Sequence, residues 1–98
     1  MIYVIAVLET DPSQTARVIA AAEPLITATQ AEAGCISYEL HADVRTPSRL
    51  VFVETWESRD HLEDHFKTPH IAAFGAAISG AVLKQRLEIV DAKNVEVN

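Results

Sequence analysis

Between Gly34 and Ile78 the chain reads G-C-I-S-Y-E-L-H, then L-V-F-V-E-T-W-E-S, then H-L-E-D-H-F-K-T-P-H, joining strand-like alternation to helical spacing. That order brings Glu54, Trp56, His65 and His70 within reach of one another. Glu54 sits in the middle of an otherwise apolar strand, where a carboxylate must be paired or hydrogen-bonded, or else take up a proton. Two roles fit it. One is a Glu satisfied by a neighbouring His, by helix N-terminal amides or by a position near the strand's open end. The other is a proton acceptor, or a partner that orients a His.

His61 and His65 lie four apart on one helical stretch and His70 opens the next, a spacing that raises the question of a metal. Zinc proteases place Glu directly after the first His, whereas Leu62 stands here, and no Cys lies nearby to complete a structural site. No metal is expected. Leu62, His65, Phe66, Ile71 and Phe74 trace the apolar stripe, so His61 is expected to face solvent and His65 to be the buried imidazole, either a satisfied core residue or a base.

Tyr38, Phe52, Trp56, Phe66 and Phe74 place most of the chain's few aromatics in this region. Large side chains fill a core, and aromatic walls around a His and a Glu also form a cleft for a flat aromatic ligand. Nucleophilic catalysis is poorly supported, because Cys35 follows a helix-ending Gly and there is no G-x-S-x-G elbow. No G-x-G-x-x-G or phosphate-cradling loop offers a seat to a nucleotide cofactor.

These residues need elements to hold them. Met1 to Glu9 is a β-branched run, apolar on both faces, that suits a central strand. Asp11-Pro12 stops it, with Asp11 as N-cap and Gln14 closing a capping box, and Val18, Ala22, Leu25, Ile26, Thr29 and Ala33 mark an amphipathic helix. Pro24 inside it predicts a kink or two abutting helices. Gly34 ends the helix. Cys35 to Ala42 and Arg49 to Glu57 read as a hairpin joined by the turn-rich Asp43 to Ser48. Ser58 caps a short helix through Phe66, Thr68-Pro69 restarts one, and Gly80 stops it. Leu83, Gln85, Leu87 and Ile89 alternate with Lys84, Arg86 and Glu88 as an edge strand with one buried face. The expected class is α+β, a ferredoxin-like βαββαβ protomer with an antiparallel sheet and the first and third strands central.

At 98 residues, 1–98 form a single domain that buries only roughly 60% or somewhat more of its unfolded surface. Right-handed crossovers place both helical segments on one sheet face, leaving the apolar other face for a second copy stacked sheet to sheet, so a homodimer is predicted. A net charge of −6 with eight scattered Lys and Arg lacks the basic footprint of a nucleic-acid binder and disfavours a membrane surface. A lone Cys35, no export-type leader and no long apolar run lead to the expectation of a reduced, cytoplasmic setting.

E-A-G-C-I-S-Y-E-L at Glu32 to Leu40, F-V-E-T-W at Phe52 to Trp56 and H-F-K-T-P-H at His65 to His70 make the chain resemble the antibiotic biosynthesis monooxygenase domain family, of the dimeric α+β barrel superfamily. In length and motif it looks like the bacterial quinol monooxygenases. The resemblance covers nearly the whole chain and implies a ferredoxin-like protomer paired into a barrel across a dimer. It implies cofactor-independent oxidation of a hydroquinone or polycyclic phenol by O2, with no metal or organic cofactor. His65 would be the base, Glu54 would orient it and stabilise its cation, and Trp56 with Phe52 and Phe74 would wall the ring. Phe66 would add to the aromatic lining, and Tyr38 or His70 would hydrogen-bond a substrate oxygen. Haem-degrading relatives use an Asn on the first strand, and none stands between Met1 and Thr10. A non-catalytic dimeric module that binds a small molecule, or an isomerase of a small signalling metabolite, are the other readings that this fold accommodates.

Overall fold

The computed structural model describes residues 1–98. Strand β1 (Ile2–Thr10) leads through a 3₁₀ turn, Pro12–Gln14, into α1 (Thr15–Gln30). Strands β2 (Cys35–Ala42) and β3 (Arg49–Trp56) form the hairpin, α2 (Arg59–Phe66) and α3 (Pro69–Ala77) follow, and β4 (Val82–Asp91) closes the fold. The sheet order is β2-β3-β1-β4 and every pairing is antiparallel, which makes this a ferredoxin-like α+β fold with β1 and β3 central. No helix is long and apolar enough to cross a membrane.

Period-two alternation decides which side chains meet the helices. Ile2, Val4, Ala6 and Leu8 on β1 share a face with Leu50, Phe52, Glu54 and Trp56 on β3, and all are buried. Helix α1 covers that face with Val18, Ala22, Leu25 and Thr29, and α2 with Leu62 and His65. Helix α3 buries nothing completely; Ile71, Phe74 and Ile78 lean on the core from its margin. The opposite sheet face pairs Tyr3 with Thr55, Ile5 with Val53 and Val7 with Val51, and leaves Ile5, Val53 and Val90 exposed.

Three local expectations change. Asp11 caps the 3₁₀ turn by accepting from the Ser13 amide, while the Gln14 side chain accepts from Arg17, so the capping box does not form. Helix α1 continues through Pro24 as one element and ends at Gln30, leaving Ala33 in the turn. Burial of Ala22 and Leu25 on either side of Pro24 holds the helix across the missing hydrogen bond. Strand β4 has no continuous buried face. Its register shifts between Glu9 and Thr10, which puts Leu83 in the irregularity at 70% exposure, and Leu87, opposite Ala6, is 51% exposed because it borders an opening in the helix layer.

Gly34 and Gly80 both adopt positive φ, at 80° and 79°, and stop the segments that precede them. Gly34 is constrained twice, because a Cβ there would collide with the His61 ring. His61 is accordingly half-buried rather than solvent-facing, its Nδ1 2.8 Å from the Ser58 hydroxyl at the start of α2. Gly34→Ala is expected to lower stability by about 2 kcal/mol or more, from the left-handed backbone and the ring collision together. Urea denaturation of the two proteins checks this, with Gly80→Ala, which meets nothing within 4 Å, as the backbone-only comparison.

Candidate active site

Where the helix layer thins over β1, β3 and β4, a cavity of about 560 Å³ opens onto the sheet. Tyr38, Phe52, Glu54, His65, Phe66 and Phe74 line it, with Leu8, Leu25, Ile71 and Leu87 filling the spaces between. The volume lies within the range of small-molecule sites, and the lining has their usual composition of apolar walls with few polar groups. Phe52 meets Phe74 edge to face at 5.8 Å between ring centres, and Tyr38 leans on Phe52 at 5.3 Å. Phe66 is 37% exposed and stands at the rim.

His65 is 1% exposed, carried into the core by the apolar stripe of α2. Its Nδ1 lies 2.7 Å from Oε2 of Glu32, and Nε2 of His70 lies 2.7 Å from the same oxygen. An ionised carboxylate only accepts, so both imidazole nitrogens donate to it. That assigns the tautomer of neutral His65: the proton sits on Nδ1, and the Nε2 lone pair remains on a ring that lines the cavity. Burial pushes the pKa of His65 below the ordinary imidazole value, while the hydrogen bond and charge of Glu32 pull it back up. The ring is therefore neutral at pH 7, with a carboxylate in place to stabilise its cation.

Glu54 has a different partner. Its Oε1 accepts from the Trp56 indole at 3.0 Å, and Trp56 in turn packs on the His65 ring at 4.7 Å between centres. Burial raises Glu54 to about 7, against the stabilising Trp56 hydrogen bond and with a further push from the charge of Glu32. Near neutrality Glu54 is thus poised between acid and carboxylate. Tyr38 is forced far above the ordinary phenol value by burial and then by the charges of Glu54 and Glu32, so its hydroxyl keeps its proton. Cys35 is raised to about 11 by burial first, which leaves it a thiol without nucleophilic character at neutral pH.

Three expectations are revised by this geometry, and the group of residues able to hold a metal has a different membership. Glu32, not Glu54, holds His65. Trp56 is fully buried behind the cavity and orients Glu54 rather than walling a ligand. His70 faces Glu32 and not the cavity. The residues that could hold a metal are Glu32, His65 and His70, whose ligand atoms lie within 4.8 Å of one another, and His61 is outside that group. Glu32 carried a readable signal. It sits just beyond the C-terminus of α1, where the helix dipole disfavours an anion, with no Lys or Arg within ten residues on either side and none in contact. A carboxylate in such a place needs donors from elsewhere in the fold.

Residues 1–77 match the family model described as antibiotic biosynthesis monooxygenase. The probable quinol monooxygenase YgiN of Escherichia coli K12 is 33% identical, over 92% of this chain and 96% of its own. A crystal structure described as an antibiotic biosynthesis monooxygenase superposes with a TM-score of 0.89 at 27% identity, covering 96% of this chain and all (100%) of that one. The Mycobacterium tuberculosis protein Rv0793 gives 0.89 at 26% identity over 98% of both chains.

The raised pKa of Glu54 has a consequence for stability. Between about pH 4.5 and 7 the folded protein holds a proton on Glu54 that the unfolded chain has released, so folding stability falls as pH rises through that window and stays lower above it. Glu54→Gln removes this penalty. Thermal melts at pH 5 and pH 8 should show the variant gaining on the wild type by about 3 kcal/mol across the interval, and parallel pH dependences would contradict the assignment.

Proposed function

The chain belongs to the antibiotic biosynthesis monooxygenase family, and from that premise we propose that it is a cofactor-independent monooxygenase oxidising a hydroquinone or polycyclic phenol with O2. The observation that carries this reading is the neutral His65 imidazole, its Nδ1 proton committed to Glu32 and its Nε2 lone pair free on the wall of an aromatic cavity. A base of that kind is what a phenol needs to react with O2. Triplet O2 reacts slowly with a closed-shell phenol, whereas the phenolate is rich enough in electrons to transfer one.

In this reading a flat substrate lies between Phe52, Phe74 and the aliphatic wall, with the Tyr38 hydroxyl available to donate to a ring oxygen. Nε2 of His65 removes a phenolic proton, and the Glu32 carboxylate stabilises the imidazolium that forms. The phenolate passes one electron to O2, and the phenoxyl radical and superoxide recombine at a ring carbon that bears hydrogen, forming a C–O bond. Glu54, in its acid form, protonates the distal oxygen to give a hydroperoxide and then takes the proton from the same carbon. The O–O bond breaks, hydroxide leaves and receives the His65 proton as water, and a carbonyl remains. One oxygen atom enters the product, the other leaves as water, and the substrate supplies every electron. The apolar lining limits water access to the radical pair.

The reading includes a homodimer, supported by the apolar strip of Tyr3, Ile5, Val7, Val51, Val53 and Val90 on the sheet face opposite the helices. Size-exclusion chromatography with light scattering should give twice the 10.7 kDa chain mass, and a monomer at micromolar concentration would remove that part of the proposal.

Oxygen consumption by the metal-stripped protein with reduced naphthoquinols and anthrones, corrected for autoxidation, tests the chemistry. His65→Ala should lower the rate by roughly 10²- to 10⁴-fold while the fold is retained. The wild-type rate should rise with pH through the depressed pKa of His65, below 6.5, and fall again above about 7 as Glu54 loses its proton. Saturable binding of these compounds with no uptake of O2 above background would favour a binding module instead.

A further inference from the structure

Glu32 is charged, largely enclosed, and held by no Lys or Arg. Its side chain is 13% exposed and its two partners, at 2% and 22%, are both imidazoles that reach it from α2 and α3. The surroundings are negative as well, since Glu32 and Glu54 together push up the pKa values of Tyr38 and Cys35. One carboxylate oxygen and two imidazole nitrogens from three separate segments, all within 4.8 Å, make a donor set that suits a borderline-soft divalent ion better than Mg²⁺ or Ca²⁺. We propose that Glu32, His65 and His70 bind a divalent transition-metal ion of the zinc class, and that the bound ion silences His65 as a base. The silencing clause rests on the oxygenase reading; the site itself does not.

Inserting an ion at bond lengths of about 2.0–2.1 Å requires the oxygen and nitrogens, now 2.7 Å apart, to separate to roughly 3.3 Å. His70 has the room, being partly exposed at the start of α3, just after the Thr68-Pro69 break that separates it from α2. Water completes the coordination. His61 takes no part, because it lies outside the group whose donor atoms come together.

Position decides the effect. Glu32 and His70 lie behind the cavity wall and only His65 reaches its surface, so an ion there acts on a substrate solely through the imidazole. Coordination needs the Nδ1 lone pair. The Nδ1 proton passes to water, and Nε2 takes a proton from water in exchange. Nε2 then donates a hydrogen bond into the cavity and no longer accepts a proton from a phenol.

Calorimetric titration of the metal-stripped protein with Zn²⁺, and the visible spectrum of bound Co²⁺, test the site without any assay of turnover. Uptake of one ion per chain is expected, weakened at least roughly tenfold in Glu32→Gln and in His70→Gln, and unchanged in His41→Gln on the sheet's exposed edge. Circular dichroism shows whether each variant is folded, and the two site variants guard against loss of either one. Side-chain ¹⁵N correlation spectra should show the His65 proton on Nδ1 before Zn²⁺ and on Nε2 after it. No saturable uptake, or uptake indifferent to both folded site variants, overturns the site; an unmoved proton overturns the silencing. Inhibition of O2 consumption with the calorimetric midpoint, reversed by a chelator, would support both. A protein that takes up no O2 at all would sink the oxygenase reading while calorimetry and the ¹⁵N spectra still decide the metal site.

Discussion

One carboxylate oxygen accepting from two imidazoles organises this site. Oε2 of Glu32 ties the turn after α1 to the last turn of α2 and the first turn of α3, so a single atom joins three segments. It also determines the chemistry of His65, because an acceptor on Nδ1 leaves the basic lone pair on Nε2. Its negative charge extends the effect to Glu54, Tyr38 and Cys35, each of which holds its proton more tightly as a result. Glu32 itself is placed where a helix C-terminus repels it, so the two imidazoles offset an unfavourable position as well as forming a bond.

The sheet supplies the second constraint. Its helix-facing side is apolar from Ile2 to Leu8 and from Leu50 to Trp56 except at Glu54, so the cavity has little solvent with which to hydrate a charge. Desolvation then acts oppositely on the two titratable groups: it depresses the imidazole and raises the carboxylate. A base that is neutral at pH 7 and an acid that is half-protonated at pH 7 arise from the same apolar wall. Trp56 keeps the acid from rising further by donating to Oε1, and its ring closes the far side of His65, so one indole restrains both groups.

The fold was largely legible in the chain because it rests on periods. Alternation in Ile2 to Leu8 and in Leu50 to Trp56, the capping residues Ser58 and Thr68, and the stops at Gly34 and Gly80 are local signals, and the helix-facing sides follow from them. Where a long-range event intervenes, the reading fails. Leu83 leaves the buried face because β4 shifts register against Glu9 and Thr10, and α1 runs through Pro24 because Ala22 and Leu25 are buried on either side. At the site, strand parity places Glu54 and Trp56 on the face that His65 meets, but parity does not say which atoms touch. The decisive contacts span 33 and 38 residues, from Glu32 to His65 and to His70, and no spacing rule reaches that far. Glu32 was readable only as a misplaced charge.

Burial of Glu54 works against stability, since a carboxylate raised to about 7 is one that folding has made harder to ionise. A Gln would keep a hydrogen bond to Trp56 without that cost, and an apolar residue would pack against Phe52 and Phe74 as the rest of the strand does. Glu32 is unfavourably placed for a different reason, its charge lying beside the helix end it follows. Two acids are thus kept where a stability-driven sequence would place neither, and they flank the one imidazole that the cavity can reach. Local departures from the rules that specify a fold mark candidate sites, and in the proposed oxygenase reading they gather around the base, Nε2 of His65.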